Sequence, residues 1–136
     1  MATIDKFQHW IYEHPAHTET ARHAKWVELF DEFNQRTVDW NGLENFKPYL
    51  WQKQLHLYEV PFYYIEYAMA QLGAIAVWRN YRQDAAAALA AYKRALTLGY
   101  TAPIGEIYAA AGIRFDFSTD YLRTLADFVR DEMEKL

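Results

Sequence analysis

Apolar residues recur every three or four positions along almost the whole chain, and no stretch alternates with the period of two that a half-buried strand needs. Ile4, Phe7, Trp10 and Ile11 put an apolar face on a first helix over residues 3–14, ended by Pro15. A second helix is expected over residues 18–37, with Thr18 as its cap. Ala21, Trp26, Leu29, Phe30 and Phe33 face inward there, and Glu19, Arg22, Lys25 and Glu32 face outward. Asn41-Gly42 breaks the chain, and residues 46–57 form a short helix with an irregular end. Pro61 suits the first turn of a long helix reaching about residue 82. Ile65, Met69, Leu72, Ile75, Val77 and Trp78 make that helix apolar on most sides, which predicts a central, buried element. Asp84 caps a helix over residues 85–98 that Gly99 closes, and residues 103–111 form a short helix ending at Gly112. Ser118 and Asp120 open the last helix, whose stripe is Leu122, Leu125, Phe128, Val129 and Met133. The fold class is all-α, a multi-helix array.

A chain of 136 residues has the size of one domain, so a single all-helical domain over residues 1–136 is expected. The aromatic share of 18% changes the picture, because five tryptophans and eleven tyrosines are many for so small an interior. Some of that surface is expected to meet another polypeptide or a ligand. Net charge is −4 and the fourteen basic residues are scattered, which argues against nucleic acid as a partner. No apolar run approaches the roughly 20 residues that span a bilayer, and MATIDKFQHW holds no apolar core of a signal peptide. The absence of cysteine excludes disulfides, thiolate nucleophiles and sulfur-ligated zinc. A soluble cytoplasmic protein without membrane contact is the resulting expectation. Ala91-Tyr92-Lys93-Arg94-Ala95-Leu96 is faintly like a tetratricopeptide helix, but no second copy follows at that period of about 34 residues.

Candidate chemistry concentrates in residues 56–73, HLYEVPFYYIEYAMAQLG. His56, Tyr63, Tyr64 and Tyr67 stand there beside the polar Glu66 and Gln71. On a helix, tyrosines three apart share a face, and buried hydroxyls would each need a partner, so the stretch reads as the wall of a polar cleft. His14, His17 and His23 invite a metal, but no His-Glu dipeptide exists, and we read His14 and His17 as turn and capping residues. Ser118, the lone serine, is explained as a cap, and the isolated glycines build no phosphate loop. Glu59 and Glu66 are carboxylates near this stretch, and a salt bridge or hydrogen bond to a neighbouring helix is the favoured role for Glu66. For His56, Tyr64 and Tyr67 two readings stay open on residue type alone. They are either ordinary core and rim residues, or donors to an oxyanion on an attacked carbonyl.

Taken in order, FQHWIYEHPAHTETAR, VDWNGLE, WQKQLHLYEVPFYYIEYAMAQLGAIAVWRNYRQD, YKRALTLGYTAPIGEIYAAAGIRFDF and the closing helix resemble the C-terminal portion of the oligoendopeptidase F family. These are thimet-oligopeptidase-like zinc metallopeptidases, and the resemblance runs from Ala2 to the end of the chain. It implies an almost wholly helical fold with a deep channel. In the family, zinc is held by a His-Glu-x-x-His helix and a later glutamate. A downstream histidine and tyrosines hold the substrate and stabilise the tetrahedral intermediate. Those positions map onto His56, Tyr64 and Tyr67, with Tyr63 open as a substrate-binding residue. The zinc helix of the family lies upstream of Met1, so no cofactor is expected in this chain although zinc serves the full-length family. The resemblance thus implies half of an active site. It would supply donors for hydrolysis of short peptides, inactive alone and associating with itself or with an upstream peptidase half. A truncated gene, a split gene or an excised piece would each fit. The alternatives are a non-catalytic helical module that binds peptides or proteins, and a dimeric remnant.

Overall fold

The computed structural model describes residues 1–34 and 38–136, and every regular element among them is helical. The elements are α1 (Ala2–Glu13), α2 (Glu19–Phe33), a 3-10 helix (Lys47–Lys53), α3 (His56–Glu59), α4 (Glu66–Gln83), α5 (Ala85–Leu98), α6 (Ile104–Ala110) and α7 (Thr119–Met133). The all-α expectation therefore holds. None of these helices is long and apolar enough to cross a membrane. Contacts group the chain into two compact units, Met1–Ala68 and Met69–Leu136, with the boundary inside the first turn of α4.

Local signals set most boundaries. Thr18, Asp84 and Ser118 each accept a hydrogen bond from the third backbone N–H beyond them, at 3.2, 3.0 and 3.4 Å, and so start α2, α5 and α7. Gly99 and Gly112 follow α5 and α6 with φ of +51° and +74°, which a residue without Cβ adopts freely. α2 ends at Phe33; the remaining residues expected of that helix, 35–37, lie outside the described residues.

In the first unit, α1 packs on α2, and α2 packs on the 3-10 helix. Their shared core is Ile4, Phe7, Trp26, Leu29 and Trp51. Phe7 is fully buried at the centre, with its ring 5.1 Å from Trp26 and 5.7 Å from Trp51. The Trp26 indole N–H donates to the Lys47 carbonyl at 3.1 Å, tying the 3-10 helix to α2. The Arg22 guanidinium lies over the Trp51 ring at 5.6 Å, a cation–π contact at the edge of this core.

The second unit is built from smaller side chains. Ala88, Ala91 and Ala95 are buried on α5, which packs on α6, and Ala76, Tyr121 and Leu125 form a second core cluster. The Tyr108 hydroxyl of α6 donates to the Met69 carbonyl at 3.3 Å and lies directly over Gly73. Asn80 donates to the Gly112 carbonyl at 2.8 Å, and Trp78 packs edge-on against Phe128 at 4.7 Å.

Three expectations are corrected. Pro61 does not open the long helix: residues 61–65 are turns, and α4 begins at Glu66. Nor is α4 buried on most sides, because only Gly73 and Ala76 are fully buried while Trp78 and Tyr81 are exposed. On α7, Met133 is 67% exposed and Tyr121 takes a place in the core instead, with Arg114 over its ring at 4.4 Å.

Candidate functional site

His56, Tyr63, Tyr64 and Tyr67 come together in the first unit, although not along one helix face. His56 is the first residue of the one-turn α3. The chain then turns through Val60-Pro61-Phe62-Tyr63, closed by the Tyr63 N–H donating to the Val60 carbonyl at 3.2 Å. Proline at the second position of a turn with positive φ at the third is the pattern of a type II turn, where glycine or asparagine is usual. Here the third residue is Phe62, at φ +60°. A bulky residue there carries strain of roughly 1–3 kcal/mol, which the surroundings must offset. Tyr63 and Tyr64 follow the turn, and Tyr67 is the second residue of α4.

Folding back in this way surrounds His56 with three phenol rings. Tyr63 stacks nearly parallel to it at 6.0 Å and 9°, while Tyr64 and Tyr67 meet it edge-on at 4.9 and 5.8 Å. Tyr67 also touches Tyr63 and Tyr64, at 5.6 and 5.4 Å. The Tyr67 hydroxyl lies 3.4 Å from His56 Nε2, a long contact. With a proton on Nε2 the imidazole donates to Tyr67, whose own O–H then points elsewhere; with Nε2 bare, Tyr67 donates. In the first tautomer the phenol hydrogen is available to a third group. Tyr63 and Tyr67 are exposed, whereas His56 and Tyr64 are half-buried. Tyr64 packs against the core and borders a cavity of about 220 Å³ lined also by Ile4, Trp26, Phe30 and Leu50.

The carboxylates stand differently. Glu66 is exposed in the first turn of α4, where the helix dipole favours a negative charge; its N–H donates to the Tyr63 carbonyl at 3.0 Å, and its carboxylate has no hydrogen-bond or ion-pair partner among the described residues. The bond to a neighbouring helix expected for Glu66 is therefore absent there. Glu59 and Gln71 are likewise solvent-exposed.

His14 and His17 are engaged in the turn between α1 and α2. His14 Nδ1 meets the Trp10 carbonyl at 2.9 Å, and His17 Nδ1 meets the His14 carbonyl at 2.5 Å. Arg22 donates from Nε to His17 Nε2 at 2.7 Å, which fixes His17 with its proton on Nδ1. The described residues contain no group of three or more His, Cys, Asp or Glu side chains arranged to hold a metal ion. A zinc ion would thus find no ready ligand set among them.

One residue escaped the sequence reading. Gln8, on the apolar stripe of α1, is 2% exposed, and its Oε1 accepts the Phe62 N–H at 2.9 Å. Its position four residues after Ile4 and one after Phe7 was the available signal: an amide where the helical period calls for an apolar side chain.

The profile of peptidase family M3 matches residues 1–127. No curated protein and no solved structure gives a significant match. M3 is a metallopeptidase family that depends in general on zinc, and an all-helical chain suits its C-terminal region. With the match running over nearly its whole length, this chain belongs to peptidase family M3.

Proposed function

We propose that this chain provides the substrate-binding and transition-state-stabilising wall of an oligoendopeptidase that cleaves short peptides. His56, Tyr64 and Tyr67 are the donors, and Tyr63 lines the peptide path beside them. The observation that carries this reading is the meeting of Tyr67 and His56 at 3.4 Å in an exposed cluster of an M3 chain. Hydrolysis of a peptide bond turns a neutral carbonyl oxygen into an oxyanion, and fixed O–H and N–H donors favour the charged state over the ground state. Tyrosine suits this, since its proton stays on the hydroxyl near neutral pH while still donating strongly.

In this reading the chain is inactive alone, because zinc and the base that activates water come from another polypeptide segment. Activation of water by zinc is the chemistry the metal would supply. The absence of cysteine is compatible with the cytoplasm as its setting. The test mixes the 136-residue chain with an M3 segment carrying His-Glu-x-x-His, adds zinc, and follows a quenched fluorescent peptide. The chain by itself gives no turnover, the mixture cleaves, and Tyr67→Phe lowers kcat by about 10²–10³-fold. Equal rates for Tyr67→Phe and the parent would defeat the catalytic assignment. Chelator-sensitive cleavage by the chain alone would defeat the division of labour.

Exposed aromatics favour a second reading. Tyr12, Phe46 and Tyr58 are 56, 65 and 57% exposed, which suits a surface that binds a peptide, an upstream peptidase half or a second copy without cutting. Peptide binding unaccompanied by cleavage in every mixture, or a concentration-dependent dimer in sedimentation, supports it.

A further inference from the structure

We propose that Gln8 is a positioning residue for the His56–Tyr67 cluster, acting through the strained backbone of Phe62. What the cluster does rests on the function proposed above; how it is held does not. Gln8 is the only fully buried polar side chain among the described residues. Its Oε1 accepts the Phe62 N–H at 2.9 Å across 54 positions of sequence, while its Nε2 is buried without a partner. A half-satisfied buried amide is a poor choice for packing alone, since leucine or methionine would fill the same stripe without an orphaned donor. The one thing the amide adds is an acceptor aimed at Phe62.

Phe62 is where such an acceptor matters, because a non-glycine residue at φ +60° leaves that region unless it is held. Two more side chains of α1 hold the other end of the residue: the Phe62 ring packs against His9 at 4.7 Å and Tyr12 at 5.2 Å. Gln8, His9 and Tyr12 thus grip the backbone and the ring together. The next two residues are Tyr63 and Tyr64. A return of Phe62 to negative φ would redirect the chain just before them and take both rings off His56. Gln8 sets these rings through the turn.

The test uses the full chain and nuclear magnetic resonance. In the parent, the Phe62 amide is protected from hydrogen exchange, and cross-ring nuclear Overhauser effects link His56 to Tyr64 and Tyr67. In Gln8→Met, which keeps the side-chain volume and removes the acceptor, helical circular dichroism persists while those cross-ring effects vanish. Adding Phe62→Gly to Gln8→Met restores the effect to Tyr64, because glycine takes the positive φ without help; a purely structural role for Gln8 predicts no such rescue. Persistence of the cross-ring effects in Gln8→Met overturns the proposal. Should that variant fail to fold, the parent decides: a Phe62 amide that exchanges at the rate of a solvent-facing loop overturns it as well. Peptide binding or complemented cleavage read on the same samples separates the two ideas. If the rings part from His56 and peptide handling stays unchanged, the positioning role stands and the function assigned to the cluster falls.

Discussion

Replacing Gly73 by alanine tests how α4 is fixed within the second unit. A Cβ built at Gly73 would stand 2.9 Å from the Tyr108 hydroxyl oxygen and 3.2 and 3.3 Å from two carbons of its ring. The phenol has little room to retreat, since Phe115 packs edge-on against it at 5.1 Å and its hydroxyl is bonded to the Met69 carbonyl. Three effects compete. Alanine is favoured over glycine inside a helix by about 1 kcal/mol. Overpacking costs about 1–3 kcal/mol, and a displaced Tyr108 gives up a hydrogen bond valued at about 1 kcal/mol. The balance is a net loss of about 1–3 kcal/mol for Gly73→Ala.

Tyr108→Phe supplies the control. It removes the oxygen that the new methyl group meets first, so Gly73→Ala in that background should fall within about 1 kcal/mol of neutral as helix propensity offsets the remaining contact. Urea unfolding of the four proteins followed by circular dichroism at 222 nm (a wavelength at which helices absorb strongly) gives the cycle, read as midpoint shifts at constant m. A stabilised Gly73→Ala, or equal losses in both backgrounds, would show that Tyr108 does not sit over Gly73 as described.

Other outcomes follow from single groups. Burial, with Tyr121 nearby as the lesser cause, raises the Tyr108 hydroxyl above its ordinary value of 10.0. The neutral form is favoured in the fold, so the stability it contributes is complete below about pH 10 and fades as pH climbs through the raised folded value; alkaline titration of Tyr108→Phe should lose that component. The Asp116 carboxyl is held below its ordinary value of 3.8, chiefly by hydrogen bonds from Ser118. Its contribution is present above about pH 4 and disappears as pH falls through the lowered folded value, so Asp116→Asn should flatten the acid limb of a stability profile. Phe7→Ala empties the centre of the first core and should cost about 3–5 kcal/mol, seen as early loss of the buried Trp26 and Trp51 fluorescence signal. Ser118→Ala removes the cap of α7 and should cost about 1 kcal/mol in the same melts.

Sequence spoke clearly wherever a few neighbouring residues decide the matter. Thr18, Asp84 and Ser118 announce helix starts because their oxygens serve amides within one turn, and Gly99 and Gly112 announce ends because the backbone there needs positive φ. Pro61 was ambiguous in principle. Its fixed φ suits the first turn of a helix and the second position of a tight turn equally, and nothing local separates the two. What decides is Gln8, 54 residues away, taking the amide that a helix starting at Pro61 would have placed in its own first turn. The exposure of the long helix has a related cause. Ala70, Gly73 and Ala74 are small enough to leave a groove of about 550 Å³ in the second unit, so large neighbours such as Trp78 and Tyr81 line an open surface instead of filling a core.

Residue types alone leave His56, Tyr64 and Tyr67 undecided between core and chemistry, and their proposed roles rest on the family resemblance; the structure adds a route by which the rings meet. That route is costly in a way a core has no use for. A phenylalanine at positive φ carries backbone strain, and a buried glutamine with an orphaned N–H carries a desolvation cost that leucine there would not. Both lie in the first unit and meet at the four residues between α3 and Tyr64, where Gln8 takes the Phe62 N–H. Elsewhere in the same unit the packing of Phe7, Trp26, Leu29 and Trp51 shows the ordinary solution, aromatic and aliphatic side chains filling a closed interior. Departures from local consistency that gather at one place, next to a histidine and open to solvent, are what a site for another molecule leaves in a sequence. Stability therefore offers its own measure of the site: substitutions that relieve the strain, Phe62→Gly foremost, act on φ and on the ring packing in opposite directions, and the sign of the change in unfolding midpoint reports which of the two dominates.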